Sequence, residues 1–117
     1  MRPLVIALAL TFVAPVAAPS LARAASFDCQ RAKSADEKAV CAYLPLNDKD
    51  VRMSVLYEIN KHTLAMGGRD ALQDQQRQWL TERRRCGANR SCLIRLYDRR
   101  LGELEKTTER IYHAGPF

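Results

Sequence analysis

The sequence predicts a small all-α domain, a disulfide-stapled bundle of about four helices that includes a helical hairpin. Apolar residues recur every three or four positions over several long stretches, which is typical of amphipathic helices. No stretch alternates apolar and polar residues for long enough to indicate a sheet. The chain of 117 residues also contains four cysteines, and an even number in a short exported protein is typical of disulfides.

Residues 1–24 have the features of a cleavable secretory signal peptide. Arg2 supplies a positive charge, residues 4–13 form an apolar run, and Ala22-Arg23-Ala24 is a cleavage site of the small-x-small kind. The apolar run is shorter than the ~20 residues of a membrane span, and no later segment is apolar enough to cross a membrane. We therefore expect a soluble periplasmic or secreted protein with one domain over residues 25–117.

The net charge is positive throughout maturation. The whole chain carries +6, from 19 basic and 13 acidic residues. Arg2 and Arg23 lie in the leader, so cleavage leaves 17 basic against 13 acidic residues and a net charge of +4. This balance favours acidic partners, such as anionic envelope polymers or lipid head groups. Nucleic acid is not expected as a partner, because the chain carries an export signal.

The first two predicted helices have clear start signals. One begins at Ser34, which can form a capping box with Glu37, and it ends before Pro45. The next spans about residues 47–66 and stops at Gly67-Gly68. We expect its apolar stripe to face the core, and this stripe comprises Val51, Val55, Ile59, His62 and Met66.

Two longer helices form the predicted hairpin. The third spans roughly residues 70–85, with an inner face of Leu72, Gln76, Trp79, Leu80 and Arg83. The fourth begins within residues 89–91 and runs to about residue 112. Its inner face comprises Leu93, Leu96, Tyr97, Leu101, Leu104, Thr108 and Ile111. Its opposite face, which we expect to be solvated, comprises Arg95, Arg99, Glu103, Lys106 and Arg110.

The four cysteines allow three pairings, and the sequence alone does not choose among them. Proximity favours Cys29 with Cys41, which would pin the segment before the first helix onto that helix. It also favours Cys86 with Cys92, which would lock the turn of the hairpin. A zinc site is the competing interpretation, but the spacings differ from those of structural zinc sites and the compartment is oxidising. We expect two disulfides and no metal or cofactor.

Two segments around the cysteines carry a family resemblance. The first is residues 26–41, with Phe-Asp-Cys followed by Glu-x-x-Val-Cys. The second is residues 75–93, where Gln-Arg-x-Trp-Leu leads into Arg-x-x-Cys. Together they resemble the LprI-like lysozyme-inhibitor family over nearly all of residues 26–105. The resemblance implies an exported protein-interaction module that binds and blocks a lysozyme or another cell-wall hydrolase. The family's named member is a lipoprotein, but this chain lacks the lipid-attachment cysteine.

Candidate partner-binding residues concentrate in the hairpin. Residues 83–100 contain seven arginines and one acidic residue, Asp98. Guanidinium groups at this density can grip phosphate or carboxylate groups, although a solvated helix surface is the alternative interpretation. The candidates are Arg83, Arg84, Arg85, Arg90, Arg95 and Arg99. The turn predicted at residues 67–69 is a second possible contact surface.

The sequence shows no motif for catalysis, neither a nucleophile elbow nor a glycine-rich phosphate loop nor a metal-binding helix motif. The leading hypothesis is therefore an inhibitor-like binding module and not an enzyme. One alternative is a basic envelope-associated protein that binds anionic polymer or lipid. The other is a cell-wall hydrolase whose acid and base come from residues distant in sequence.

Overall fold

The computed structural model describes residues 25–114, and the predicted leader lies outside this range. A short 3-10 turn at Cys29–Arg31 precedes four helices, which are α1 (Ala35–Ala42), α2 (Leu44–Thr63), α3 (Met66–Cys86) and α4 (Arg90–His113). The described part of the chain contains no strand, so the predicted all-α class is confirmed. None of these helices is both long and apolar enough to cross a bilayer.

The junction between α1 and α2 is a single extended residue. The α1 helix begins with the predicted capping box, in which the Glu37 carboxylate accepts from the backbone N–H of Ser34 at 3.1 Å. Tyr43 is extended, and α2 begins directly after it with Pro45 in its first turn. A proline there loses no helical hydrogen bond, because the first-turn N–H groups have no partner within the helix.

The predicted boundary between the second and third helices is wrong. The α2 helix ends at Thr63, Leu64 and Ala65 are extended, and both glycines lie in the first turn of α3. Glycine costs only about 1 kcal/mol within a helix and does not by itself end one. The predicted contact surface at residues 67–69 is therefore helical. Arg69 there donates to the carbonyl of Lys61 at 3.0 Å, next to the end of α2.

The predicted inner stripe of α2 is also wrong. Val55 and Ile59 are 53% and 49% exposed, Met66 lies in α3 and is exposed, and the His62 side chain is exposed. The buried residues of α2 are Leu46, Asn47, Asp50, Met53 and Asn60. Polar residues can occupy this face because they find partners there. Asn60 donates to the carbonyl of Leu104 and accepts from the Thr108 hydroxyl, both at 2.9 Å.

The core lies between α2, α3 and α4, and α2 packs most extensively against α4. The Trp79 and Tyr97 rings meet edge to face with centroids 4.9 Å apart, and the indole N–H of Trp79 donates to the carbonyl of Leu96 at 3.3 Å. Most of the predicted inner faces of α3 and α4 are buried. The apolar core comprises Val40, Leu46, Met53, Leu72, Trp79, Leu93, Leu96, Tyr97, Leu101 and Leu104.

Both predicted disulfides are confirmed. Cys29 pairs with Cys41 across a Cα–Cα distance of 5.7 Å, and Cys86 pairs with Cys92 across 5.6 Å. The first bond holds the N-terminal segment on α1, and the second closes the turn between α3 and α4. With all four cysteines bonded, none is available as a thiolate ligand for zinc.

Candidate functional site

The turn between α3 and α4 is fixed by three local devices. Gly87 ends α3 with a positive φ of 53°, a conformation that suits glycine because it has no Cβ. Asn89 caps α4, its side-chain oxygen accepting from the backbone N–H of Cys92 at 3.0 Å. The Cys86–Cys92 disulfide closes the same turn. This end of the hairpin is therefore held in one conformation.

Four exposed arginines surround this turn, and we call them the basic tip: Arg84, Arg85, Arg90 and Arg95. Within residues 25–114, none of them forms an ion pair with an acidic side chain. The Arg90 guanidinium lies 4.0 Å from the centre of the Tyr43 ring, which is a cation–π contact with the junction of α1 and α2. The tip thus presents positive charge that the described domain does not neutralise.

The predicted candidate Arg99 lies next to the basic tip but in a different environment. Its exposed guanidinium pairs with Glu82 on α3 and approaches Glu103 on α4 to 3.8 Å. A groove beside the Cys86–Cys92 disulfide is lined by Arg85, Arg95 and Arg99, with Leu96 among its apolar residues. Arg99 therefore borders the basic tip with its charge largely balanced.

Arg83, predicted as a partner-binding candidate, lies inside the domain. It is only 6% exposed, and its Nε donates to Oδ2 of Asp36 at 2.8 Å. Its guanidinium also lies 5.4 Å from the centre of the Phe27 ring and 5.8 Å from that of Trp79. These contacts occupy the side chain, so Arg83 is not part of the exposed surface.

Arg83 belongs to a group that we call the buried cluster, made of Asp36, Asp50, Arg83 and Tyr97. The Tyr97 hydroxyl donates to Oδ1 of Asp50 at 2.7 Å and accepts from Nη1 of Arg83 at 3.4 Å. Oδ2 of Asp50 accepts from the backbone N–H of Ser26 at 2.7 Å. The cluster joins all four helices and the N-terminal segment beneath the hairpin.

The environment of the buried cluster shifts the pKa values of two of its members. Burial raises the pKa of the Tyr97 hydroxyl far above its usual range, and the negative charge of Asp50 adds to the effect. Burial also opposes ionisation of Asp36, but hydrogen bonding and the charge of Arg83 outweigh it and hold the pKa of that carboxyl below its usual value. Asp36 is therefore ionised and Tyr97 neutral at neutral pH.

A second buried arginine, Arg100, was not predicted. It is 1% exposed, and it donates to Gln76 at 3.0 Å and to Glu103 at 3.1 Å. Its position in the sequence carried a signal, because it lies three and four residues after Tyr97 and Leu96 on the inner face of α4. Asp36 and Asp50 were missed as well, and nothing near them in sequence indicates their partners.

The comparison with protein families gives one match. Residues 29–104 match the family described as "Lysozyme inhibitor LprI", and this span contains both disulfides, the buried cluster and the basic tip. No curated protein and no solved structure matches the chain. Because the family match covers more than half of its length, the chain belongs to the LprI lysozyme inhibitor family.

Proposed function

We propose that this protein is an exported, inhibitor-like module that binds a cell-wall hydrolase and blocks it without catalysing a reaction. Removal of residues 1–24 would release the domain of residues 25–117 in the periplasm or outside the cell. Family membership supports the class of partner. The observation that carries the proposal is the basic tip, which is rigid, exposed and free of acidic partners within residues 25–114.

Rigidity supports binding at this surface. A surface that is already ordered loses less conformational entropy when it binds. The disulfide and the Asn89 cap hold the backbone of the tip, and the contact with Tyr43 restrains Arg90. The basic tip therefore presents its guanidinium groups from a fixed backbone.

The chemistry of the partner also fits. Most glycosidases cut with a pair of carboxylates that flank the scissile bond. A guanidinium group presents a planar fork of donors that matches a carboxylate. An arginine of the basic tip that enters such a cleft would pair with the carboxylates and exclude substrate. This local complementarity does not require the two proteins to have opposite net charge.

The test is inhibition of a panel of lysozymes and other cell-wall hydrolases by the purified, oxidised protein. We expect stoichiometric inhibition of at least one enzyme, in competition with its cell-wall substrate. The triple variant Arg84→Gln, Arg85→Gln and Arg90→Gln should weaken this inhibition by more than about 100-fold, since charge-assisted hydrogen bonds are among the strongest.

The matched control replaces three exposed arginines that lie away from the basic tip, namely Arg52, Arg77 and Arg110, by glutamine. It removes the same charge and should leave inhibition nearly unchanged. An equal loss in both variants would show that net charge acts and not the tip. Absence of inhibition across the panel would overturn the proposal.

The unneutralised charge of the basic tip also favours a second candidate function, the binding of anionic envelope polymer or lipid. Such binding would weaken strongly as ionic strength rises, because exposed charges are screened by salt. Binding to anionic vesicles or polymer that disappears in the tip variant, without inhibition of any hydrolase, would establish it. Turnover of cell-wall substrate by the protein alone would instead identify an enzyme.

A further inference from the structure

The buried carboxylate of Asp50 contacts the start of the described chain. Asp50 is fully buried in α2. One of its oxygens accepts from Tyr97, and the other accepts from the backbone N–H of Ser26 at 2.7 Å. Ser26 would be the second residue of the protein after cleavage at Ala24. A fully buried acidic group therefore lies beside the proposed mature N-terminus.

The buried cluster contains one carboxylate more than it has guanidinium groups. Asp36 and Asp50 are 1% and 0% exposed, and Arg83 is the cation between them. Arg83 lies closer to Asp36, at 2.8 Å, than to Asp50, at 3.7 Å. A buried charge that is not fully compensated is costly. Asp50 is thus the member of the cluster with room for a second cation.

We infer that Asp50 is the acceptor site for the N-terminal ammonium group of Ala25, which forms when the leader is removed. The inference rests on the export step of the proposed function. Consecutive backbone nitrogens are at most about 3.7 Å apart, so the nitrogen of Ala25 lies within about 6.5 Å of Oδ2. Ala25 already packs against the core. Cleavage turns its nitrogen from a neutral amide into a cation beside a buried carboxylate.

Other charged groups also face this region. Glu58 of α2 and Arg77 and Arg83 of α3 line the groove beside Ser26, and Asp36 of α1 and Tyr97 of α4 complete the buried cluster. Glu58 is exposed and pairs with Lys61, and Arg77 pairs with Asp74. Asp50 is the stronger acceptor, because a charge pair attracts more strongly in the low dielectric of the interior.

The ion pair makes stability depend on pH in a defined direction. An α-amino group has a pKa of about 7.7–8.0 without partners, and a nearby carboxylate raises that pKa in the folded state. The stabilisation is therefore complete below about pH 7.7 and disappears as pH rises through the raised value. The domain reaches its full stability only after the leader has been removed.

The experiment compares two proteins that are exported and processed from the full chain. One is the natural sequence, and the other has a serine inserted between Ala24 and Ala25, which moves the ammonium group one residue away. Intact mass must show that the natural chain starts at Ala25. The insertion should lower Tm by about 5 °C at pH 6, and by much less at pH 10, where the amine is neutral.

Two variants locate the acceptor. The insertion should have no effect when Asp50→Asn is present, and it should keep its full effect in the control Glu58→Gln. A loss of Tm that is the same at both pH values, or that persists in Asp50→Asn, would overturn the inference. So would equal Tm values for the two natural-sequence proteins, or a natural chain that starts at another residue.

A second measurement does not depend on the folding of the Asp50 variant. The rate at which a reagent labels the α-amine of the natural protein, followed against pH, gives the pKa of that amine. We expect a pKa above 8, and a value of 7.7 or lower would contradict the ion pair. Either outcome leaves the hydrolase assay untouched, so failure here is distinguishable from failure of the proposed function.

Discussion

Two neighbouring arginines of α3 have opposite environments. Arg83 is 6% exposed and bound to Asp36, whereas Arg84 is exposed and has no ion pair within residues 25–114. One residue along a helix is a rotation of about 100°, which here carries a guanidinium group from the core to the solvent. The same residue type is therefore a structural cation in the buried cluster and a binding candidate in the basic tip.

The largest expected effect is that of Arg83→Met on stability. This variant leaves two buried carboxylates without their cation, and breaking a buried ion pair costs about 3–5 kcal/mol. Urea unfolding of the oxidised protein at pH 7 measures the loss. Arg84→Met is the control and should change the free energy of unfolding by less than about 0.5 kcal/mol. Similar losses in the two variants would mean that the buried cluster contributes nothing particular.

Removal of each disulfide separates the two regions in another way. Replacing Cys86 and Cys92 by serine, or Cys29 and Cys41, should cost about 2–3 kcal/mol in either case, because both closed loops are short. Only the first change loosens the basic tip, so only that one should weaken hydrolase inhibition. Unfolding and inhibition measured on both double variants check this. Equal inhibition by the two would argue against the tip as the contact surface.

The sequence predicted the inner faces of α3 and α4 because apolar residues dominate them. It failed for α2, where Asp50 and Asn60 are buried while Val55 and Ile59 are exposed. The partners that make burial of Asp50 and Asn60 possible are Tyr97 and Leu104, which lie 47 and 44 residues away. Periodicity within one helix contains no information about such partners.

The candidate site was predicted in part for the same reason. The density of arginines indicated the region, and five of the six candidates are exposed there. Arg83 had been assigned both to the inner face of its helix and to the binding surface. Its spacing from Leu72 and Trp79 supported the inner face, and that assignment is confirmed. The acid that holds it, Asp36, lies 47 residues earlier and could not be paired with it from the sequence.

A smaller effect is expected for Tyr97→Phe, which removes one hydroxyl from the buried cluster. Asp50 loses the donor at 2.7 Å, and an unsatisfied buried group costs about 1–3 kcal/mol. The natural protein should also lose stability as pH rises above about 10, because the pKa of Tyr97 is raised in the folded state and the unfolded chain ionises first.

Chemical unfolding between pH 7 and 11 measures both parts of that prediction. Tyr97→Phe should be less stable at pH 7 and should lose less stability at alkaline pH than the natural protein does. Tyr112→Phe is the matched control, because Tyr112 is 74% exposed, and it should behave like the natural protein. An unchanged alkaline loss in Tyr97→Phe would contradict the assignment to this hydroxyl.

The smallest expected effect on stability is that of neutralising the basic tip. Glutamine at positions 84, 85 and 90 should change the free energy of unfolding by less than about 0.5 kcal/mol, since these side chains are exposed and pair with no acid in the described domain. A slight gain would follow from relief of repulsion between like charges. Urea unfolding at low and high salt tests this. If the variant is instead strongly destabilised, the arginines serve the fold as Arg83 does, and their loss of inhibition would not identify a binding surface.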